Sequence, residues 1–175
     1  SSLHSLGALG LQATGVAVDD DGMQASSLDE ALRKGARAVL LTPRAHNPTG
    51  CSLSKKRAQE LSRVLAQYPN VLVIVDDHFA LLSTATYYSV IPESSTRWAL
   101  VRSFSKALGP DMRVAAVASD KATSKELRLR LASGTSWVSH LLQDVVEAIV
   151  TDPNTSEVIE RAKHDYRQRR QSLEH

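Results

Sequence analysis

Val71-Leu72-Val73-Ile74-Val75-Asp76-Asp77-His78 decides how the rest of this 175-residue chain is read. Five apolar residues, four of them β-branched, run without polar alternation and end in two carboxylates and an imidazole. A strand with one wet face would alternate. An unbroken run predicts a strand buried on both faces, as at the centre of a parallel sheet. Tyr68-Pro69-Asn70 stands before it as a stop signal, so the run is entered from a turn.

Working outward, Ala58, Leu61, Val64 and Leu65 recur at helical spacing behind the polar start Ser52-Leu53-Ser54, predicting a helix to about Gln67. Ala38–Leu41 reads as a strand running into Thr42-Pro43-Arg44. Further upstream, Ser27 with Glu30 three residues later forms a capping box for a helix ending near Gly35. Ala13–Val18 reads as a strand closed by the acidic turn Asp19-Asp20-Asp21-Gly22. Downstream, Trp98–Val101 and Val114–Ala118 read as strands. Val138, Leu141, Leu142, Val145, Val146, Ile149 and Val150 predict an amphipathic helix with a wide apolar stripe, and Trp137 and His140 are read there as core packing. After Asp152-Pro153-Asn154 comes a last basic helix with Tyr166 and Leu173 on its apolar edge. Short strands alternating with helices predict an α/β fold: a mainly parallel sheet flanked by helices in three layers.

Composition narrows the function classes. Hydrophobic residues make up 42% of the chain and charged residues 23%, a globular balance far from the disordered class. Twenty-one basic against nineteen acidic groups give +2, and residues 161–175 alone carry +3 through Arg161, Lys163, Arg167, Arg169 and Arg170. The body therefore lacks the basic face that nucleic acid requires, and the tail reads as the solvated side of a helix. No apolar run approaches the length of a membrane span, and the start Ser1-Ser2-Leu3-His4 does not read as a signal peptide. A single cysteine, Cys51, leaves no internal disulfide and predicts a reducing, cytoplasmic setting. It reads as a small residue packed behind a turn.

Three polar clusters follow three of the strands: Asn47-Pro48-Thr49-Gly50, Asp76-Asp77-His78 and Ser103-Phe104-Ser105-Lys106. Groups at the carboxyl ends of neighbouring parallel strands converge on one crevice, where open α/β sheets bind ligands. An amine such as Lys106 can form a Schiff base with an aldehyde, while Ser103, Ser105 and Arg113 hold an anion nearby. Pyridoxal 5'-phosphate carries both groups. Its ring nitrogen requires an acidic partner, for which Asp76 is the candidate, and Asn47 can donate to the phenolic oxygen. Asp76, Asp77 and His78 are adjacent on a strand end and cannot all face one ion, so no metal site is expected. No Gly-x-Ser-x-Gly elbow is present to support a hydrolase triad.

Taken in order, Thr42-Pro43-Arg44-Ala45-His46-Asn47-Pro48-Thr49-Gly50, Val73-Ile74-Val75-Asp76-Asp77-His78-Phe79, the run Ser103 to Arg113, and Ser136 to Gln143 resemble the large domain of fold-type I pyridoxal-phosphate aminotransferases. Within that superfamily the chain is most similar to the aminotransferase-like domain of MocR regulators, a branch of the GntR transcription factors, and to members that govern vitamin B6 salvage. The resemblance implies that Lys106 is the Schiff-base lysine and Asp76 the pyridine-nitrogen partner. Asn47 would contact the phenolic oxygen, and Ser103, Ser105 and Arg113 would bind the phosphate. The aminotransferases place a tyrosine two or three residues after the aspartate. Here those positions are His78 and Phe79, which puts transamination in doubt, with His78 as the substitute donor. By the same resemblance, residues 1–175 are a fragment of the cofactor-binding large domain, with a winged helix-turn-helix and a small domain outside the chain. Three functions follow as expectations. The first is a cofactor-sensing effector domain of a homodimeric DNA-binding regulator, with pyridoxal phosphate or an amino compound as effector. The others are an aminotransferase and a cofactor-free dimerisation module.

Overall fold

The computed structural model describes residues 6–134 and 137–173. The Ser1–His4 start, Ser136, the Leu173 side chain and Glu174-His175 lie outside the described residues. A hairpin of β1 (Val18–Asp19) and β2 (Gly22–Met23) leads into α1 (Ala25–Arg33), β3 (Ala38–Leu41), α2 (Lys55–Ala66), β4 (Leu72–Asp76) and β5 (Trp98–Ser103). A single turn of helix, α3 (Ser105–Leu108), precedes β6 (Ala115–Ser119). Then come α4 (Lys121–Ala132), α5 (His140–Thr151) and α6 (Pro153–Leu173).

The main sheet has the order β3-β4-β5-β6. β3 and β5 both pair parallel to β4, in registers that set Leu41 beside Val75 and Asp76 beside Val101. β6 returns antiparallel to β5, Ser103 opposite Ala115. One face carries the core. Val39, Leu41, Val73 and Val75 meet Leu28 and Leu32 of α1 and Ala58, Leu61 and Leu65 of α2, with Trp98 and Leu100 packed at the margin. Removing this apolar area from water is the main stabilising term.

Several local expectations are corrected. The strand expected over Ala13–Val18 shrinks to Val18–Asp19, because it pairs only with the short β2. Ser27 does not cap α1. The helix begins two residues earlier behind Gln24, the Ser27 hydroxyl accepts from Ala17 N–H at 3.0 Å, and Glu30 pairs with Lys34. The central run is not buried on both faces: Leu72 and Ile74 are half-buried, and Leu40 is 42% exposed. The helices in the core cluster, α1 and α2, cover one face only. The apolar stripe of α5 buries only Val146, while Leu141 stays 71% exposed, since this helix packs against α6. Trp137 lies ahead of the Ser139 cap and is 73% exposed, and His140 is exposed too, so neither is core.

The capped starts elsewhere have simple causes. Ser54 accepts from Arg57 N–H at the start of α2. Asp120 accepts from Ala122 and Thr123 N–H at the start of α4 and from Trp98 N–H across the sheet. The hairpin is pinned to α2 by Arg57, which grips Asp19 with two hydrogen bonds of 2.9 Å and donates to the Gly22 and Met23 carbonyls. Gly22 has φ +93°, and a Cβ there would meet Leu53 Cδ2 at 2.7 Å, so only glycine fits this turn. Among the described residues no helix is long and apolar enough to cross a membrane.

Candidate functional site

The sheet order places the carboxyl ends of β3, β4 and β5 side by side. Neighbouring strands lie about 4.8 Å apart, so the three tips fall within roughly 10 Å laterally. Asp76 is the last residue of β4 and shares a sheet face with Val101 and Ser103 of β5. The Ser103 and Ser105 hydroxyls sit 2.8 Å apart, and Ser105 N–H points at Ser103 Oγ at 3.4 Å. Lys106 follows on α3. The ladder between β5 and β6 closes with Phe104 N–H donating to Val114 O at 3.1 Å, which draws Arg113 to the same end of the sheet.

Asn47 is carried on the loop after β3. That loop folds on itself through Leu53 N–H to Pro43 O, Ala45 N–H to Ser52 Oγ and His46 N–H to Cys51 O, leaving Asn47-Pro48-Thr49 exposed at its tip. Cys51 is buried behind it, with Thr49 Oγ1 donating to its sulfur at 3.0 Å. The packed-cysteine reading holds.

Among the described residues, the side chains of Asn47, Lys106 and Arg113 have no hydrogen-bond or ion-pair partner, and all three are exposed. Asp76 is 39% exposed at its side chain. His78 turns Nδ1 toward Asp76, 3.3 Å from Oδ1, a charge-pairing distance with poor alignment, so the occluded nitrogen makes no directed hydrogen bond. Its ring meets Phe79 edge-on at 5.3 Å.

Asp77, one residue further, behaves in the opposite way. It is fully buried and accepts from Arg44 Nε at 2.9 Å, Arg44 Nη2 at 2.6 Å and Arg102 Nε at 3.0 Å. Both guanidinium groups lie over the Tyr87 ring, at 5.5 and 5.2 Å from its centroid. Burial pushes the Tyr87 hydroxyl above its ordinary value. Sequence reasoning missed this cluster. Its signal was an aspartate and an arginine, Asp77 and Arg102, at the core-face parity of two neighbouring strands, with a second arginine, Arg44, in the loop after the third.

Together the groups at the three strand tips suit pyridoxal phosphate: a free amine for the aldehyde, two hydroxyls and a guanidinium to donate to the phosphate, a carboxylate to accept from the protonated ring nitrogen, an amide to donate to the phenolic oxygen. Two surface hollows lie elsewhere. One of about 440 Å³ is bounded by Arg37, Tyr68 and Arg97 near the amino ends of the strands, and one of about 400 Å³ by Tyr87, Trp98 and Ala118.

The profile for aminotransferase class I and II matches residues 10–175. The chain belongs to that family. Solved family folds superpose closely. LysN, the α-aminoadipate aminotransferase of Thermus thermophilus complexed with N-(5'-phosphopyridoxyl)-L-leucine, has TM-score 0.83 at 23% identity, over 94% of this chain and 43% of that one. Kynurenine aminotransferase of Pyrococcus horikoshii gives 0.83 at 21%, over 98% of this chain and 45% of that one. Among curated proteins, the vitamin B6 salvage pathway transcriptional repressor PtsJ of Salmonella typhimurium is 55% identical over 99% of this chain and 40% of its own length. The HTH-type transcriptional regulator YcxD of Bacillus subtilis is 31% identical over 65% of this chain and 26% of its own. The chain thus spans well under half the length of these curated relatives. The expected fold class and the resemblance to regulators both hold, and aminotransferases of this family typically bind pyridoxal phosphate.

Proposed function

We propose that residues 1–175 are part of the pyridoxal-phosphate-binding effector domain of a DNA-binding transcriptional regulator that controls vitamin B6 salvage. The observation that carries this reading is the 55% identity to the repressor PtsJ across nearly the whole chain. The donor set at the three strand tips supports the cofactor part. DNA contact would come from a domain outside these residues, the full protein would act as a homodimer, and its setting would be the cytoplasm.

Bound pyridoxal phosphate supplies an aldehyde that condenses with an amine and a ring that withdraws electrons. The chain's own groups would do the rest. Lys106 Nζ presents the amine, and Ser103 Oγ, Ser105 Oγ and the Arg113 guanidinium hold the phosphate dianion. The Asp76 carboxylate holds a proton on the ring nitrogen, and the Asn47 amide donates to the phenolic oxygen. With histidine and phenylalanine where a tyrosine stands in aminotransferases, the phenol donor to that oxygen is replaced by the His78 imidazole at most, which favours holding a ligand over turning it over. Such a domain switches its regulator only through unequal affinity of the ligand for the two conformations.

The test uses full-length protein. Titration with pyridoxal phosphate should produce a visible absorbance band, borohydride should fix a pyridoxyl group on the peptide containing Lys106, and Lys106→Ala should abolish the adduct. The cofactor should also change retardation of DNA from the protein's own promoter. Absence of the adduct at Lys106 overturns the reading in favour of a cofactor-free dimerisation module. Multiple turnovers with an amino acid and a keto acid overturn it in favour of an aminotransferase.

A further inference from the structure

The geometry points to Asp77, Arg44 and Arg102 as positioning residues: a buried clamp on the core face of the sheet that sets the mutual placement of Asn47, Asp76 and Ser103. This rests on the cofactor reading above and adds a device to it. Each clamp member is tied by the chain to one site residue. Asp77 follows Asp76, Arg102 precedes Ser103, and Arg44 stands three residues before Asn47. Strand parity sends Asp76 and Ser103 to one face, and Asp77 and Arg102 to the other.

The clamp joins all three strand tips through one carboxylate. Asp77 Oδ1 and Oδ2 take two hydrogen bonds from Arg44, and Oδ2 takes a third from Arg102. Asp77 N–H donates to Val101 O at 2.9 Å, so its own backbone is fixed to β5 as well. Arg44 spends its remaining Nη1 on Ala85 O at 3.2 Å. Both guanidinium groups also lie against the Tyr87 ring. The Arg44 side chain is 9% exposed and Asp77 is not exposed at all, while Arg102 keeps 44%. A buried ion cluster of this kind adds little net stability over an apolar replacement, because desolvating the charges offsets their attraction. Its directional bonds do something apolar packing does not: they fix where the three tips stand relative to each other. A ligand gripped by side chains from separate strands depends on that placement, since about 1 Å of error costs up to roughly a hundredfold in a preorganised site.

The experiment measures two properties of the full-length protein, the dissociation constant for pyridoxal phosphate and the pH midpoint of its visible absorbance when bound. Asp77→Asn keeps the shape and removes the charge. It should weaken binding by roughly tenfold or more and move the midpoint by at least about half a unit, because Asp76 and Asn47 set the acidity of the Lys106 adduct. Arg33→Gln, which breaks the exposed Arg33–Asp29 pair, should change neither. A folded Asp77→Asn protein with unchanged affinity overturns the clamp and leaves the cofactor reading standing. Weaker binding with an unmoved midpoint also overturns it, since that is what mere loss of stability would give. If wild-type protein takes up no pyridoxal phosphate, both readings fall. Should Asp77→Asn fail to fold, Arg102 decides by the same two measurements. Arg102→Met should reproduce the weakening and the shift, and Arg102→Lys should restore most of both; equal behaviour of the two variants overturns the proposal.

Discussion

Asp120 shows how much one exposed-looking side chain can hold. Partial burial pushes its carboxyl up, but donors from Thr123, Trp98 and Ala122 outweigh this and bring it from 3.8 down to about 2. A carboxyl depressed in the folded state contributes stability that is complete above its unfolded value and lost as pH falls toward the folded one. Asp120→Ala should therefore destabilise the protein by about 1.5 kcal/mol at neutral pH, through a lost cap and an unpaired Trp98 N–H. Urea denaturation of the two proteins should show that difference shrinking between pH 4 and pH 2, whereas a constant difference would mean the ionised form is not what matters. Asp120 ties β5 to α4. Nothing in a linear reading shows which backbone amide a carboxylate will find across a sheet.

At the scale of elements, α2 anchors both the core and the hairpin. Leu61 is completely buried in it, so Leu61→Ala should cost about 3 kcal/mol, while exposed Gln59→Ala on the same helix should stay within about 0.5 kcal/mol by the same denaturation measurement. Arg57→Ala should leave α2 intact but release the hairpin, read as faster amide exchange at Val18–Met23 without a matching change in β4. The strands around the three polar clusters were legible because short apolar runs bounded by turns have few other uses, and Ser54 announced its helix at the residue where it caps. The paired parallel strands were legible too. The two-residue hairpin, the antiparallel return of β6 and the helix behind Asp120 were not, since each depends on a partner distant in the chain. The same holds at the candidate site. Asn47, Asp76, Ser103, Ser105, Lys106 and Arg113 could be named from residue type and order, whereas the bonds of Asp77 appear only once three strands are aligned.

Across the whole molecule, the sheet has two unequal faces and the later helices keep much apolar surface in water. Leu129, Leu131, Trp137 and Leu141 are each more than half exposed. In residues 1–175 carrying Trp98→Phe, fluorescence from Trp137 should emit at the wavelength of hydrated indole and be strongly quenched by acrylamide; a blue-shifted, protected signal would contradict its placement. Exposed apolar area of this kind also predicts binding of a hydrophobic dye by the same chain. The two faces meet most closely in the pair Asp76-Asp77, identical side chains assigned to opposite environments by alternation at the end of β4. Deleting a single residue from Leu72–Val75 would therefore exchange them, sending the wet acid into the packed interior and the locked one out to solvent. Composition and charge would barely change, and both aspartates would survive, yet each would face the side of the sheet that the other faces now.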